Sequence, residues 1–114
     1  MAQGASVGRA LKRGDVRWYQ FARPDKNRPV VILTRDSAIE FLGEVTIAPV
    51  TTTVRNIPTE VFLSATMDGM PQDCVINLDH LQTVAKGKIG AFITSLSRHK
   101  LTELRTALLF ALGF

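Results

Sequence analysis

The sequence is poor in the residues that form most metal and nucleophilic centres. It has one cysteine, Cys74, and two histidines, His80 and His99, in 114 residues. A single cysteine cannot form an intramolecular disulfide, and no His, Cys, Asp and Glu residues are grouped at the spacing of metal ligands. We therefore predict no metal site and no other cofactor.

Glycine-rich phosphate loops and long apolar runs are also missing. Gly87 and Gly90 flank a basic turn, but their spacing fits neither a dinucleotide-binding loop nor a P-loop. No apolar run is long enough to cross a bilayer, and residues 1–13 lack the apolar centre of a secretion signal. Together with the single cysteine, these features predict a cytoplasmic protein without a membrane partner.

The composition that remains is that of an ordinary globular domain, with 46% hydrophobic and 21% charged residues. We predict one domain over residues 13–114, preceded by a flexible N-terminal extension over residues 1–12. Fourteen Lys and Arg against ten Asp and Glu give a net charge of +4. This excess favours a polyanionic partner such as nucleic acid, but it does not identify one.

The distribution of apolar residues predicts a mainly β protein. The continuous apolar run at 30–33 is typical of a central strand, whereas Pro49 predicts an edge position or a bulge in its strand. Asp68 and Gly69 predict a turn. Strands are predicted at residues 15–21, 30–33, 45–52, 59–63, 74–76, 81–84 and 88–93.

Two helices are predicted, a short one near the middle and a longer one at the C-terminus. Asp36 is the predicted cap of the first and Gly43 its end, and Ser97 is the predicted N-cap of the second. The apolar stripe of the C-terminal helix must cover either its own sheet or a second subunit. The stripe consists of Leu101, Leu104, Leu108, Ala111 and Leu112.

Several blocks along the chain resemble one known family in their order and spacing. The blocks are Arg13-Gly14-Asp15-Val16, Lys26-Asn27-Arg28-Pro29, and the segments 48–55, 58–64 and 73–84. They are similar to the motifs of the MazF and PemK family of toxin ribonucleases, from about Lys12 to the final helix. The threonine run that ends near Arg55 most resembles the mycobacterial branch of that family.

The resemblance implies a small SH3-like curved sheet or barrel of the CcdB/PemK type. It also implies the toxin component of a type II toxin-antitoxin system, a homodimer that is restrained by an antitoxin with an extended, acidic tail. The implied reaction is metal-independent, sequence-selective cleavage of single-stranded RNA that inhibits translation and growth. A ribose 2′-hydroxyl attacks the adjacent phosphorus and leaves a 2′,3′-cyclic phosphate and a 5′-hydroxyl.

Carried over to this sequence, the resemblance implies that Arg28 and Thr51 are the catalytic pair. A planar, multi-donor cation and a hydroxyl suit a transition state that concentrates negative charge on phosphoryl oxygens. No general base or acid is assigned. Cys74 stands where the family tends to have a small residue, so we interpret it as a small buried apolar residue rather than a nucleophile. The residues predicted to contact RNA are Lys26, Thr52, Thr53, Arg55, Asp79 and His80.

Plainer interpretations remain open for several of these residues. A threonine run has high β propensity, so structure alone explains Thr53, and Arg55 and His80 are equally well explained as loop residues. The sequence also departs from the family pattern. The connection from Phe21 to Asn27 is shorter than in many relatives. His80 stands where an amide is usual in the family, and Gln82 stands where a basic residue is frequent. The RNA sequence that is cut therefore cannot be transferred from better-known members.

Two other functions are compatible with the same fold. A CcdB-like toxin would poison DNA gyrase and leave RNA intact, although the Arg-Pro and threonine blocks disfavour this reading. A non-catalytic barrel would bind RNA without cutting it, since a fold alone never establishes chemistry. Product-end analysis separates the ribonuclease from both.

Overall fold

The computed structural model describes residues 10–22 and 27–114. Within them, seven strands form an antiparallel sheet, accompanied by two one-turn helices, a 3-10 turn at Lys86–Lys88 and a long C-terminal helix. No helix in this part of the chain is both long and apolar enough to span a membrane. The elements are β1 (Asp15–Gln20), β2 (Asn27–Ile32), α1 (Asp36–Ile39), β3 (Glu44–Thr51), β4 (Glu60–Leu63), α2 (Ala65–Asp68), β5 (Cys74–Asn77), β6 (Gln82–Ala85), β7 (Ile89–Ser95) and α3 (Arg98–Leu112).

The sheet is open. Its strand order is β4-β5-β3-β2-β1-β7, and β6 pairs with β3 beside that path. In the described residues the end strands β4 and β7 are not paired with each other. The predicted mainly β fold is confirmed. Of the two predicted forms, a curved sheet or a barrel, the described residues form the open sheet.

Strand β3 has the most partners in the described sheet, because it pairs with one strand along one edge and with two strands along the other. One edge pairs with β2, and the other pairs first with β6 through Glu44–Ile47 and then with β5 through Val50 and Thr51. Pro49 lies in the gap between these two partners, so its missing N–H falls where neither β5 nor β6 is in register with it. Of the two predicted alternatives, an edge position or a bulge, the edge position was wrong: an interruption of the pairing along one edge accommodates the proline.

Two apolar clusters lie on opposite faces of the sheet. Strand β2 contributes to both, with Val31 on one face and Val30 and Ile32 on the other, and all three are fully buried. The predicted central position of this strand is therefore confirmed. α3 covers the Val31 face through Leu104 and Ala107, so most of its stripe packs on the sheet of its own chain, whereas Leu112 is exposed.

The helix boundaries correct two predictions and confirm one. Asp36 is the first helical residue of α1 rather than its cap, and its carboxylate accepts a hydrogen bond from the Arg13 N–H at 2.7 Å. α1 ends at Ile39, before Gly43. Ser97 is the N-cap of α3, as predicted, and its Oγ accepts the Lys100 N–H at 3.1 Å.

The segment between β4 and β5 contains a helical turn, α2, that the sequence did not predict. The Ser64 hydroxyl caps its start by accepting the N–H groups of Thr66 and Met67. Gly69 ends it in the left-handed region, with φ 77°, which a glycine adopts without steric cost. The segment predicted as a simple turn thus forms a compact and well-bonded corner.

Candidate active site

Arg28 and Thr51 occupy adjacent positions on neighbouring strands. The register of β2 and β3 pairs Val30 with Pro49. The pairing ends there, and Arg28 lies two residues before Val30 on β2 while Thr51 lies two residues after Pro49 on β3. Both residues line the same two cavities, so both side chains can reach one bound group.

Two cavities flank this pair, one on each face of the sheet. Successive side chains of a strand point to opposite faces, and the lining residues follow that alternation: Val50 lines one cavity and Pro49 the other. Arg28, Thr51 and Thr53 line both. The pair therefore forms part of a wall that the two cavities share.

The first cavity, named here the Trp18 cavity, has a volume of about 320 Å³. Its apolar lining comes from β1, β2, β3, the start of β5 and the corner after α2. Thr52 and the amides of Asn27 and Gln72 are at its polar margin. The apolar lining residues are Trp18, Pro29, Val50, Met70, Pro71 and Cys74.

The second cavity, named here the His80 cavity, has a volume of about 480 Å³, and most of its lining residues are polar. It opens where β5 and β6 separate on the same side of β3. The Phe21 ring lies at one side and packs edge-on against Tyr19, with ring centroids 4.8 Å apart. The polar lining residues are Arg28, Thr51, Thr53, Arg55, Asn77, His80 and Gln82.

The charge of this region favours an anion. Arg28 is half-buried, and within residues 10–22 and 27–114 its guanidinium forms no ion pair. Among the described lining residues of the two cavities there is no Asp or Glu, whereas Arg28 and Arg55 are both present. A guanidinium that is held by a strand and not neutralised can form bidentate hydrogen bonds to a phosphate.

The loop that follows β3 is ordered by its own hydrogen bonds. The Thr51 Oγ1 accepts the Thr53 N–H at 3.2 Å. Further on, the Glu60 Oε1 accepts the N–H groups of Arg55 at 2.9 Å and Asn56 at 3.1 Å, and Asn56 adopts a positive φ of 56°. The carboxylate of Glu60 thus holds the turn that presents Arg55 to the His80 cavity.

A second set of bonds orders the loop that presents His80. The Asp79 Oδ2 accepts the Thr59 hydroxyl at 2.6 Å, and the Asp79 N–H donates to the Asn77 Oδ1 at 3.0 Å. Asp79 lines neither cavity. Its carboxylate joins two loops, in a position next to His80 rather than facing the groove.

The other predicted RNA contacts are distributed unevenly. Thr53, Arg55 and His80 line the His80 cavity, and Thr52 lines only the Trp18 cavity. Lys26 lies outside the described residues. The residue patterns did not single out Phe21, Asn77 or Gln72 as site residues, because pairing of β3 with two successive partners, which gathers them, leaves no local signal in the chain.

Cys74 is buried at the base of the Trp18 cavity. Its thiol is 3% exposed and lies 3.9 Å from the Leu63 carbonyl. Burial, together with the nearby carboxylates of Asp73 and Asp68, raises its pKa to about 11. The thiol is therefore protonated at neutral pH, which agrees with its interpretation as a buried apolar residue.

Comparison with known proteins places this geometry in one family. The family model described as PemK-like, MazF-like toxin of type II toxin-antitoxin system matches residues 12–112. The chain belongs to this toxin family.

Relatives of this MazF-type chain occur in Mycobacterium tuberculosis. It is 36% identical over 93 residues to a probable endoribonuclease, MazF2, covering 82% of this chain and 89% of that protein. It is 43% identical over 75 residues to the endoribonuclease MazF3, covering 66% and 72% of the two chains. The predicted similarity to the mycobacterial branch is confirmed.

Solved structures of MazF-type proteins have the same fold. The M. tuberculosis toxin MazF-mt6 superposes with a TM-score of 0.79 at 36% identity, over 88% of this chain and 97% of that one. A mycobacterial endoribonuclease in complex with its cognate antitoxin gives a TM-score of 0.83 at 26% identity, over 92% and 97%. The fold around Arg28 and Thr51 is thus that of the MazF-type toxins.

Proposed function

We propose that this MazF-type toxin cleaves single-stranded RNA at the wall between the two cavities, with Arg28 and Thr51 binding the scissile phosphate. The protein is an endoribonuclease by its family and its relatives. The observation that supports this assignment is that Arg28 and Thr51 line the same two cavities, where the guanidinium forms no ion pair with any residue that the structure describes.

The reaction is an internal transesterification. The 2′-oxygen of one nucleotide forms a bond to the adjacent phosphorus, and the bond from phosphorus to the 5′-oxygen of the next nucleotide breaks. The 2′-hydroxyl loses its proton and the departing 5′-oxygen gains one. Arg28 and the Thr51 hydroxyl donate hydrogen bonds to the nonbridging oxygens, where negative charge increases in the transition state.

The pair is suited to this role because it is positioned before substrate binds. Both residues lie in paired strands, and Pro29 restricts the backbone next to Arg28. Donors that are already aligned need no reorganisation during the reaction. A guanidinium remains charged at neutral pH and is a poor general base, so its contribution is electrostatic.

The decisive experiment compares Arg28→Ala with the unchanged protein on a long single-stranded RNA in EDTA. We expect the variant to fold, with an unchanged circular dichroism spectrum, and to lose cleavage. The products of the unchanged protein should carry 2′,3′-cyclic phosphate and 5′-hydroxyl ends. Unchanged cutting by the variant would remove Arg28 from the mechanism, and intact RNA bound by the unchanged protein would indicate a binding module.

We further propose that an antitoxin with an acidic segment binds over the cavities and that the toxin acts as a homodimer in the cytoplasm. The proposal of an antitoxin is supported by the antitoxin complex of a mycobacterial relative and by the cationic lining given by Arg28 and Arg55. Apolar side chains at the end of α3, with Phe110 61% and Leu112 55% exposed, offer contacts for a second copy. Light scattering at micromolar concentration that shows only monomer would contradict the homodimer.

A further inference from the structure

The geometry points to the Trp18 cavity as a nucleobase subsite that selects one nucleotide beside the cut. In this subsite Trp18 and Met70 contact the face of the base. Asn27 and Gln72 contact its edge. This inference rests on the proposed ribonuclease function. It adds that the two cavities hold nucleotides on opposite sides of the scissile phosphate.

The Trp18 cavity lies beside the two residues that are proposed to bind the scissile phosphate. Arg28 and Thr51 form a wall shared by cavities on the two faces of the sheet. A phosphate that is bound on this wall has one neighbouring nucleotide on each side. The chain of the RNA therefore crosses the end of the sheet, with one base directed to the Trp18 cavity and the other to the His80 cavity.

The side chains that line the Trp18 cavity are of the types that bind an unpaired base. Single-stranded RNA is recognised by stacking of unpaired bases on aromatic rings and by hydrogen bonds to their edges. The Trp18 cavity offers an indole and a thioether for the flat face. The side-chain amides of Asn27 and Gln72 have no hydrogen-bond partner within the part of the chain described, so both are available to a ligand. Amides both donate and accept, as base edges require.

The corner that contributes Met70, Pro71 and Gln72 to the cavity is held by contacts within the chain. Met70 is only 5% exposed and follows Gly69, whose left-handed conformation ends α2. The Asp73 Oδ1 accepts the Ala65 N–H at 2.8 Å, which closes the corner that carries Pro71 and Gln72. A preformed wall lowers the ordering cost of binding a base. The neutral thiol of Cys74 adds no charge at the base of the cavity.

Two amide residues allow a matched test, because Gln72 lines only the Trp18 cavity and Gln82 only the His80 cavity. Both are exposed, so their alanine variants should fold. The unchanged protein, Gln72→Ala and Gln82→Ala are each incubated with a randomised single-stranded RNA pool in EDTA, and the 5′-hydroxyl ends are sequenced. Thr102→Ala on the exposed face of α3 is the control and should reproduce the unchanged preferences.

We expect Gln72→Ala to reduce discrimination at one nucleotide by about 5- to 150-fold, the range for one base contact. Gln82→Ala should reduce it at a nucleotide on the other side of the cut. Preferences for Gln72→Ala that match those of the unchanged protein would overturn the subsite, as would effects of both variants at the same nucleotide.

A second readout does not depend on cleavage. Trp18 is the single tryptophan of the chain, so its fluorescence reports on a base in the cavity. A 2′-deoxy oligonucleotide of the preferred sequence cannot be cut, and it should quench this fluorescence with an affinity that Gln72→Ala lowers. An unchanged signal on binding would overturn the subsite.

Failure of the proposed function would be recognised separately, because the unchanged protein would then produce no cyclic-phosphate ends from any RNA in the pool. The four nucleoside monophosphates, titrated one at a time, then decide the subsite alone. Selective quenching by one of them supports it, and equal or absent responses to all four overturn it.

Discussion

The hydroxyl of Thr59 donates a 2.6 Å hydrogen bond to the carboxylate of Asp79, and this bond joins the loop that carries Arg55 to the loop that carries His80. Thr59 is only 7% exposed, so the bond is largely shielded from water. The two loops come from distant parts of the chain and face each other across the His80 cavity. The width of that cavity therefore depends on a contact that lies outside its lining.

Removing this hydroxyl should change both stability and substrate binding. Thr59→Val leaves the Asp79 carboxylate without its partner, and a hydrogen bond to a charged group contributes about 1.5–3 kcal/mol. We expect the free energy of unfolding in urea to fall by about that amount and the KM for RNA to rise at temperatures where the variant is folded. Thr59→Ser should restore both quantities. A lower stability with an unchanged KM would show that the bond does not position the loops.

Thr51 should affect the rate more than the affinity. Thr51→Val keeps the β-branched shape but removes the hydroxyl, and loss of one such donor typically lowers kcat by about 10²–10³-fold. Thr51→Ser retains the hydroxyl and should keep most of the activity. Single-turnover cleavage of a labelled RNA separates this chemical step from binding. A rise in KM with unchanged kcat would reassign Thr51 to RNA binding.

His80 is expected to act as a hydrogen-bonding contact. His80→Gln retains a donor and an acceptor at this position of the cavity and should retain cleavage. His80→Ala should raise KM by about 5- to 150-fold, the range for one lost contact to a base. Profiles of kcat against pH test the alternative role of His80, which is proton transfer. If His80→Gln abolishes cleavage and removes one limb of the profile, His80 transfers a proton.

Much of the fold follows from local pattern. The apolar run around Val31 predicted a central strand, and the spacing of Leu101, Leu104 and Leu108 with Ser97 before it predicted α3. Both features reflect burial or capping that a short segment determines by itself. α2 was not predicted, because one turn of helix held by Ser64 and Gly69 has almost no periodicity to detect.

The candidate site is less visible in the sequence, since it depends on contacts between distant segments. The motif blocks carried Arg28 and Thr51, and the two cavities that both residues line show why they belong together. Asp79 was predicted to contact bases, but its bond to Thr59 arises only when β4 and β5 pair. Asn27 and Gln72 line one cavity because β3 pairs with β2 along one edge and with β5 along the other, and no local pattern encodes this pairing.

The N-cap of α3 should make a measurable contribution to stability. Ser97→Ala removes the acceptor of the Lys100 N–H, a change that typically costs about 1 kcal/mol. Ser97→Asp should retain the cap, because a carboxylate also accepts this N–H and is favourable at a helix N-terminus. Cleavage should be unaffected at 25 °C, since α3 lines neither cavity. A loss of activity greater than the loss of folded protein would show that α3 is coupled to the site.

Cys74 should be unreactive at neutral pH, and its reactivity gives a direct measure of the folded state. With a pKa raised to about 11 from 9.0, the thiolate fraction at pH 8 is about 100-fold lower than for an unperturbed thiol, because each pKa unit is a factor of ten. Alkylation by iodoacetamide should therefore be slow, should accelerate about tenfold per pH unit up to about pH 11, and should become fast in urea. The same pKa shift lowers stability at high pH. Because the folded state holds the thiol proton more tightly than the unfolded state, the free energy of unfolding is retained below pH 9 and falls as the pH rises from about 9 to 11. Rapid alkylation of the folded protein at pH 7, at the rate found in urea, would show that the corner carrying Met70 and Pro71 opens readily and that the Trp18 cavity is not preformed.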